Sequence, residues 1–306
     1  MKRRLLLAVK VAWAVAMLGV LAWYMVTHWD EFAEYAGRIG PAAIALSTLL
    51  LIVAKLLLAW IGADAAAMFG ARLSYWKMFY IYSLSQLGKY LPGSVWQYVG
   101  RVMLYRAEGM PARNGAKALL VESYWLLGAA CAVGVAACAP RLLALAGLEQ
   151  VRWVPPLAVL SLAAFVLLFF GLWGGTSLLG ARLGAERRAS TVGVFLLEIA
   201  TWGLLGFSFW VLFPPELRQP EHMALAIGAF ALGWAGGYLA IFAPAGVGVR
   251  EVIVVVLLSD VMPTPMAVAV VSLSRILYSI TDLALGAVAA GWYDRPVSAI
   301  IQRADK

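Results

Sequence analysis

Eight ionisable side chains fall inside apolar stretches of this 306-residue chain: Lys55, Lys89, Glu122, Glu198, Arg250, Glu251, Arg275 and Asp282. In a dry setting such groups can hold anions or carry protons. A guanidinium fork matches the oxygens of a phosphate, and an intramembrane carboxylate serves as a counter-charge or a proton relay. Arg250, Lys89 and Arg275 are therefore the expected anion-binding groups. Glu251 joins them as counter-charge or protonatable coupler, and Glu122, Glu198 and Asp282 are candidates for the same two roles. For Lys55, Glu198 and Asp282, static pairing is the competing expectation. A charge at the bilayer centre costs about 2.5 to 3.5 kcal/mol, so all eight should face inward. Arg275 and Asp282 stand seven residues apart with Tyr278 between them, and so share one helix face. Cys131 and Cys138 lie in one apolar run and suit packing; His28 and His222 are isolated. No metal or cofactor is expected, and without a Ser-His or His-carboxylate cluster, neither is an enzyme.

The elements that must position these groups follow from composition. The chain is 63% hydrophobic and 13% charged, outside the range of soluble domains. Its apolar runs have helix-spanning length, which excludes a barrel. Six full spans are expected: about Leu5 to Val26, Pro41 to Ile61, Ala116 to Ala137, Val154 to Gly174, Thr191 to Phe213 and Pro265 to Trp292. Two further stretches, Met78 to Tyr105 and Met223 to Ser259, are broken at YLPGSVW and FAPAGVG. Pro92 and Pro244 are 152 residues apart, and the starts of matching spans differ by 149, 150 and 149. The expected fold is thus an all-α membrane protein of two inverted-topology repeats, 1–150 and 151–306. Each repeat has three transmembrane helices and one re-entrant hairpin, at 78–105 and 223–259. With both termini cytoplasmic, 16 Lys and Arg residues, Arg101 among them, fall on the inside. Arg38, Arg141, Arg152 and Arg218 fall outside with Asp30, Glu31, Glu34, Glu216, Glu221 and Asp260. That bias fits an inner-membrane protein and accounts for the +8 charge without nucleic acid.

A turn at mid-depth must be enclosed by protein or line a wet cavity. Pro92 and Pro244 suit the first turn of a returning half-helix, and Gly93, Gly246 and Gly248 allow tight turning. Each returning helix then aims free N–H groups and its positive dipole end at the membrane interior, where they can hold phosphate or carboxylate. GVGVRE lacks the preceding strand of a dinucleotide loop. Gly233 and Gly237 have the spacing of helix packing. Tyr90, Trp96, Tyr98 and Trp125 crowd the first break, as a lipid-tail groove or as an interfacial belt.

LGKYLPGSVWQ (Leu87 to Gln97) and PAGVGVRE (Pro244 to Glu251) resemble the lysylphosphatidylglycerol synthase transmembrane region, or flippase-like domain family, along essentially the whole chain. The resemblance implies a polytopic inner-membrane protein that handles lipid at Pro92, Gly93, Pro244, Gly246, Gly248, Arg250 and Glu251. Ser94, Trp96 and Gln97 belong to the same first stretch and complete the expected substrate-binding set. Bifunctional relatives carry a soluble aminoacyl-transferase domain after the membrane part, whereas about 14 residues follow Trp292 here, so transport rather than transfer is implied. The expected function is a flippase for a phosphate-bearing lipid: an aminoacylated phospholipid, a glycolipid or a polyprenyl-phosphate-linked sugar. The alternatives are a secondary transporter of a small soluble anion and a non-transporting partner of a lipid-modifying transferase.

Overall fold

The computed structural model describes residues 29–71, 73–90, 95–147, 187–240 and 243–292, with a few isolated positions besides. The first expected span, most of the fourth, and Pro92, Gly93 and Ser94 lie outside the described residues.

Helix boundaries follow local chemistry. Helix α1 (Trp29–Arg38) is short; α2 (Pro41–Met68) opens on a proline, whose missing N–H would have had no helical partner anyway. It closes at Gly70, where a left-handed φ of 93° lets the Ala71 N–H reach back to the Ala66 carbonyl at 3.2 Å. Helix α3 (Tyr75–Gln86) starts on the Ser74 side chain, which accepts from the Lys77 N–H, and runs into a 3₁₀ turn (Leu87–Tyr90). Helix α4 (Trp96–Ala107) ends in the same way as α2, with Gly109 at φ 88° and Met110 N–H on the Tyr105 carbonyl at 3.0 Å. Then come α5 (Ala112–Leu145), α6 (Arg187–Trp210), α7 (Pro220–Leu239), α8 (Val249–Leu258) and α9 (Thr264–Trp292).

Among the described residues all regular structure is helical. Five helices are long and apolar enough to cross a membrane: Pro41–Met68, Ala112–Leu145, Gly193–Trp210, Pro220–Leu239 and Thr264–Trp292. The chain is a helical membrane protein, as its composition requires. Four of these match expected spans. The fifth, α7, is a difference: half of the second broken stretch is a helix of full spanning length, about 30 Å at 1.5 Å per residue, because the apolar run from Met223 meets no proline until Pro244.

The chain packs as two compact units. One comprises Met1–Leu51, Ala129–Phe165 and Trp202–Ser279; the other comprises Ile52–Gly128, Val166–Thr201 and Ile280–Lys306. Each holds one of the broken stretches. In the first unit, α8 folds back along α7. A Cβ on Gly233 would meet Val254 at 2.6 Å, one on Gly236 would meet the Ile253 side chain, and Gly237 lies against Arg250 and Gly246. Rising numbers on one helix meet falling numbers on the other, so the pair is antiparallel. Phe209, Phe213 and Phe230 fill the core of this unit, and Gly228 brings α7 close to Cys138 of α5. In the second unit α3 and α4 are antiparallel as well. Lys77 Nζ bonds Glu108 at 2.6 Å, Tyr105 Oη lies 3.6 Å from Met78 Sδ, and Arg101 Nε donates to Ser85 Oγ at 3.0 Å. Gly88 closes the apex: a Cβ there would lie 2.6 Å from Gln97 N and 2.7 Å from the Trp96 carbonyl carbon.

Candidate functional site

The α3–α4 hairpin ends in a 3₁₀ turn that carries Lys89 and Tyr90 beside Asp282 of α9. Asp282 Oδ2 takes the Lys89 ammonium at 2.5 Å and the Tyr90 hydroxyl at 2.7 Å; Oδ1 takes the Lys55 ammonium of α2 at 2.7 Å. Lys55 also donates to Thr281 Oγ1 at 2.6 Å. One carboxylate thus serves two ammonium groups. Lys55 and Asp282 are each 4% exposed, and Lys89 keeps 17% of its side chain accessible. The sequence marked Lys89 for an anion and left Lys55 and Asp282 between pairing and function. The structure brings all three together, with Tyr90 as a hydrogen-bond donor rather than belt lining.

Deeper in the hairpin stands a residue that the sequence reading misplaced. Arg101 is not a loop cation: it is 3% exposed, and its Nη1 donates to Glu122 Oε1 at 2.5 Å while its guanidinium lies 4.3 Å over the Tyr82 ring. The signal was present. In a hairpin centred on Pro92-Gly93, residues about equally far from the apex face each other, which puts Arg101 opposite Leu84 and Ser85 rather than in a loop. Counting basic residues for topology ignores depth. Nearby, Glu198 of α6 is fully buried, and among the described residues neither of its oxygens nor Glu122 Oε2 has a hydrogen-bond donor.

In the other unit, the α7–α8 turn is built from left-handed residues: Ala245 at φ 51°, Gly246 at 68° and Gly248 at 89°. Gly246 allows the closest approach, since a Cβ there would lie 2.7 Å from Gly237 Cα. Pro244 opens the 3₁₀ turn Pro244–Gly246 and not helix α8, so it does not occupy the helical first turn expected of it. At the α8 N-terminus the Glu251 side chain reaches back and accepts the Gly248 N–H at 2.7 Å, one half of a capping box. Its other oxygen takes Arg275 Nη1 at 2.5 Å, and Arg275 Nη2 donates to the Ala245 carbonyl at 3.2 Å. A carboxylate of the chain itself therefore sits where an anion at this helix end would sit. Arg250 is buried, with its guanidinium 4.4 Å over Phe230 and 5.7 Å over Tyr278. It faces protein, as expected of an intramembrane charge.

Of the remaining candidates, Trp96 is exposed and Gln97 half-buried at the start of α4. Trp125 is 2% exposed and belongs to the core rather than to a belt. Both hairpins therefore bring a cationic side chain and a carboxylate to the broken end, each within its own unit. No protein-family model matches the chain, and a search of curated proteins finds no match.

Proposed function

We propose that this protein is a flippase of the cytoplasmic membrane that moves a phosphate-bearing lipid. Each unit provides one station for the anionic headgroup. The observation that carries the reading is Asp282 shared between Lys55 and Lys89 at the apex of a short helical hairpin. A phosphate entering this cluster takes over one ammonium and leaves the other to Asp282, so the exchange never strands a buried charge. In the other unit the headgroup competes with Glu251 for Arg275 and the Gly248 amide, with Arg250 alongside.

Helices α3 and α4 have 12 residues each, about 18 Å, against roughly 30 Å of hydrocarbon. Their antiparallel packing supports a segment that enters and leaves on one face, whereas α7–α8 pairs a helix of spanning length with a short return of 10 residues. Arg38 bonds Glu34 and Glu216, and Arg141 bonds Asp260. All five are assigned to the outer side by the charge bias, and each pairing fits its members lying on one side; the bias itself puts both termini in the cytoplasm. The family resemblance adds the lipid.

Reconstitution in liposomes with a fluorescent-headgroup lipid and an impermeant quencher tests the proposal. Wild-type protein should move the lipid faster than protein-free vesicles. Lys89→Ala and Arg250→Ala should each slow it about tenfold or more, the loss of one charge-assisted hydrogen bond. Wild-type rates equal to those of empty vesicles, across phosphate-bearing lipids of the three classes, would overturn it.

A further inference from the structure

The lipid-handling reading makes no use of Glu198. It lies on α6 with no solvent exposure, and among the described residues no hydrogen-bond donor reaches either carboxylate oxygen. The charged group that acts on it is Glu122 of α5. Glu122 in turn has one oxygen on Arg101 and the other, Oε2, buried without a donor. On the α2 side Oε2 meets Gly62, where a Cβ would stand 3.2 Å away, so no polar side chain is offered from that helix position. From α3 and α4 the ionisable neighbours of this pair are Tyr82, under the Arg101 guanidinium, and Tyr105. Glu122 thus has a guanidinium partner, and Glu198 has no donor among the described residues. With both ionised the cluster carries an uncompensated buried negative charge, which is costly by several kcal/mol; with one proton added it is neutral. Glu122 already has a cationic donor, so the proton belongs on Glu198.

We propose that Glu198 is a proton-binding site, holding one proton while Arg101 is engaged with Glu122. The chemistry is a proton from water joining a carboxylate to give a carboxylic acid, with no other reactant. A consequence follows for coupling. An anion that draws Arg101 away leaves the Glu122 carboxylate without its guanidinium, which favours the proton staying on Glu198. Anion loading and proton loading go together, which supplies an energy source for directional movement.

Infrared difference spectroscopy of the detergent-solubilised full chain tests the site without requiring transport. The wild type should show a protonated-carboxyl stretch at neutral pH that shifts in heavy water. Glu198→Gln should lose it, Glu122→Gln should keep it, and Glu198→Asp should retain a displaced band, which separates loss of the acid from loss of the fold. Absence of the band in the wild type, or its survival in Glu198→Gln, overturns the proposal. The transport arm rests on the flippase reading. With a pH gradient imposed across proteoliposomes, wild-type lipid movement should change severalfold while Glu198→Gln runs at one rate with or without it, and a gradient response retained in Glu198→Gln overturns the coupling. A wild type that moves no lipid at all removes the flippase reading and leaves the spectrum to decide the proton site.

Discussion

Replacing Asp282 by Asn keeps the volume of the side chain and removes the charge on which two lysines depend. No cavity is created, so the cost is electrostatic. The two lysines do not suffer equally. Lys89 keeps 17% of its side chain accessible and can recover water, whereas Lys55 is 4% exposed and keeps its hydrogen bond to Thr281. The penalty therefore falls mainly on Lys55, in the range for removing one partner of a buried pair, about 3 to 5 kcal/mol. This predicts a change of sign. In the wild-type background Lys55→Met removes a satisfied charge and should destabilise by about 1 to 3 kcal/mol. In the Asp282→Asn background the same change removes a buried ammonium that has lost its carboxylate, and should stabilise. Equilibrium unfolding of the four proteins in mixed detergent micelles, followed by tryptophan fluorescence, gives the cycle. Equal effects of Lys55→Met in the two backgrounds, to within about 0.5 kcal/mol, would mean that the pair contributes nothing, and the anion station built on it would fall as well.

Two further expectations concern the hairpins. At Gly246 a Cβ meets Gly237 backbone in a left-handed turn, whereas at Gly236 it meets only the terminal Cδ1 of Ile253, which can rotate away. Gly246→Ala should therefore cost at least about 1 to 3 kcal/mol and Gly236→Ala distinctly less, as thermal unfolding would register; the reverse order would contradict the α7–α8 packing. Single cysteines at Ser74 and at Ala112, in a chain cleared of Cys131 and Cys138, should both label with a membrane-impermeant maleimide from one side of oriented vesicles, and labelling from opposite sides would rule out re-entry of α3–α4.

Much of this was legible in the sequence because it depends on runs and breakers. Apolar length set the long helices, and the break at Pro244 to Gly248 marked the turn between α7 and α8. What could not be read was partnership. Lys55 and Thr281 stand 226 residues apart, and nothing in either neighbourhood distinguishes a lysine that snorkels from one that meets Asp282. Arg101 went astray because basic residues counted for topology carry no depth, and a hairpin that turns back early keeps its far end buried.

Glu251 shows a different limit. The local pattern, a glycine followed three residues later by glutamate at a helix start, is compatible with a cap and with an anion site, since both exploit the same unbonded amides. The structure joins the two. Glu251 satisfies the Gly248 amide and pairs with Arg275, so on the proposed reading a phosphate at this helix end has to displace that carboxylate. Only a ligand with more charge or more acceptor oxygens than a carboxylate gains by such an exchange, and a phosphate headgroup has both. On that reading the cap would also act as a filter against fatty-acid carboxylates.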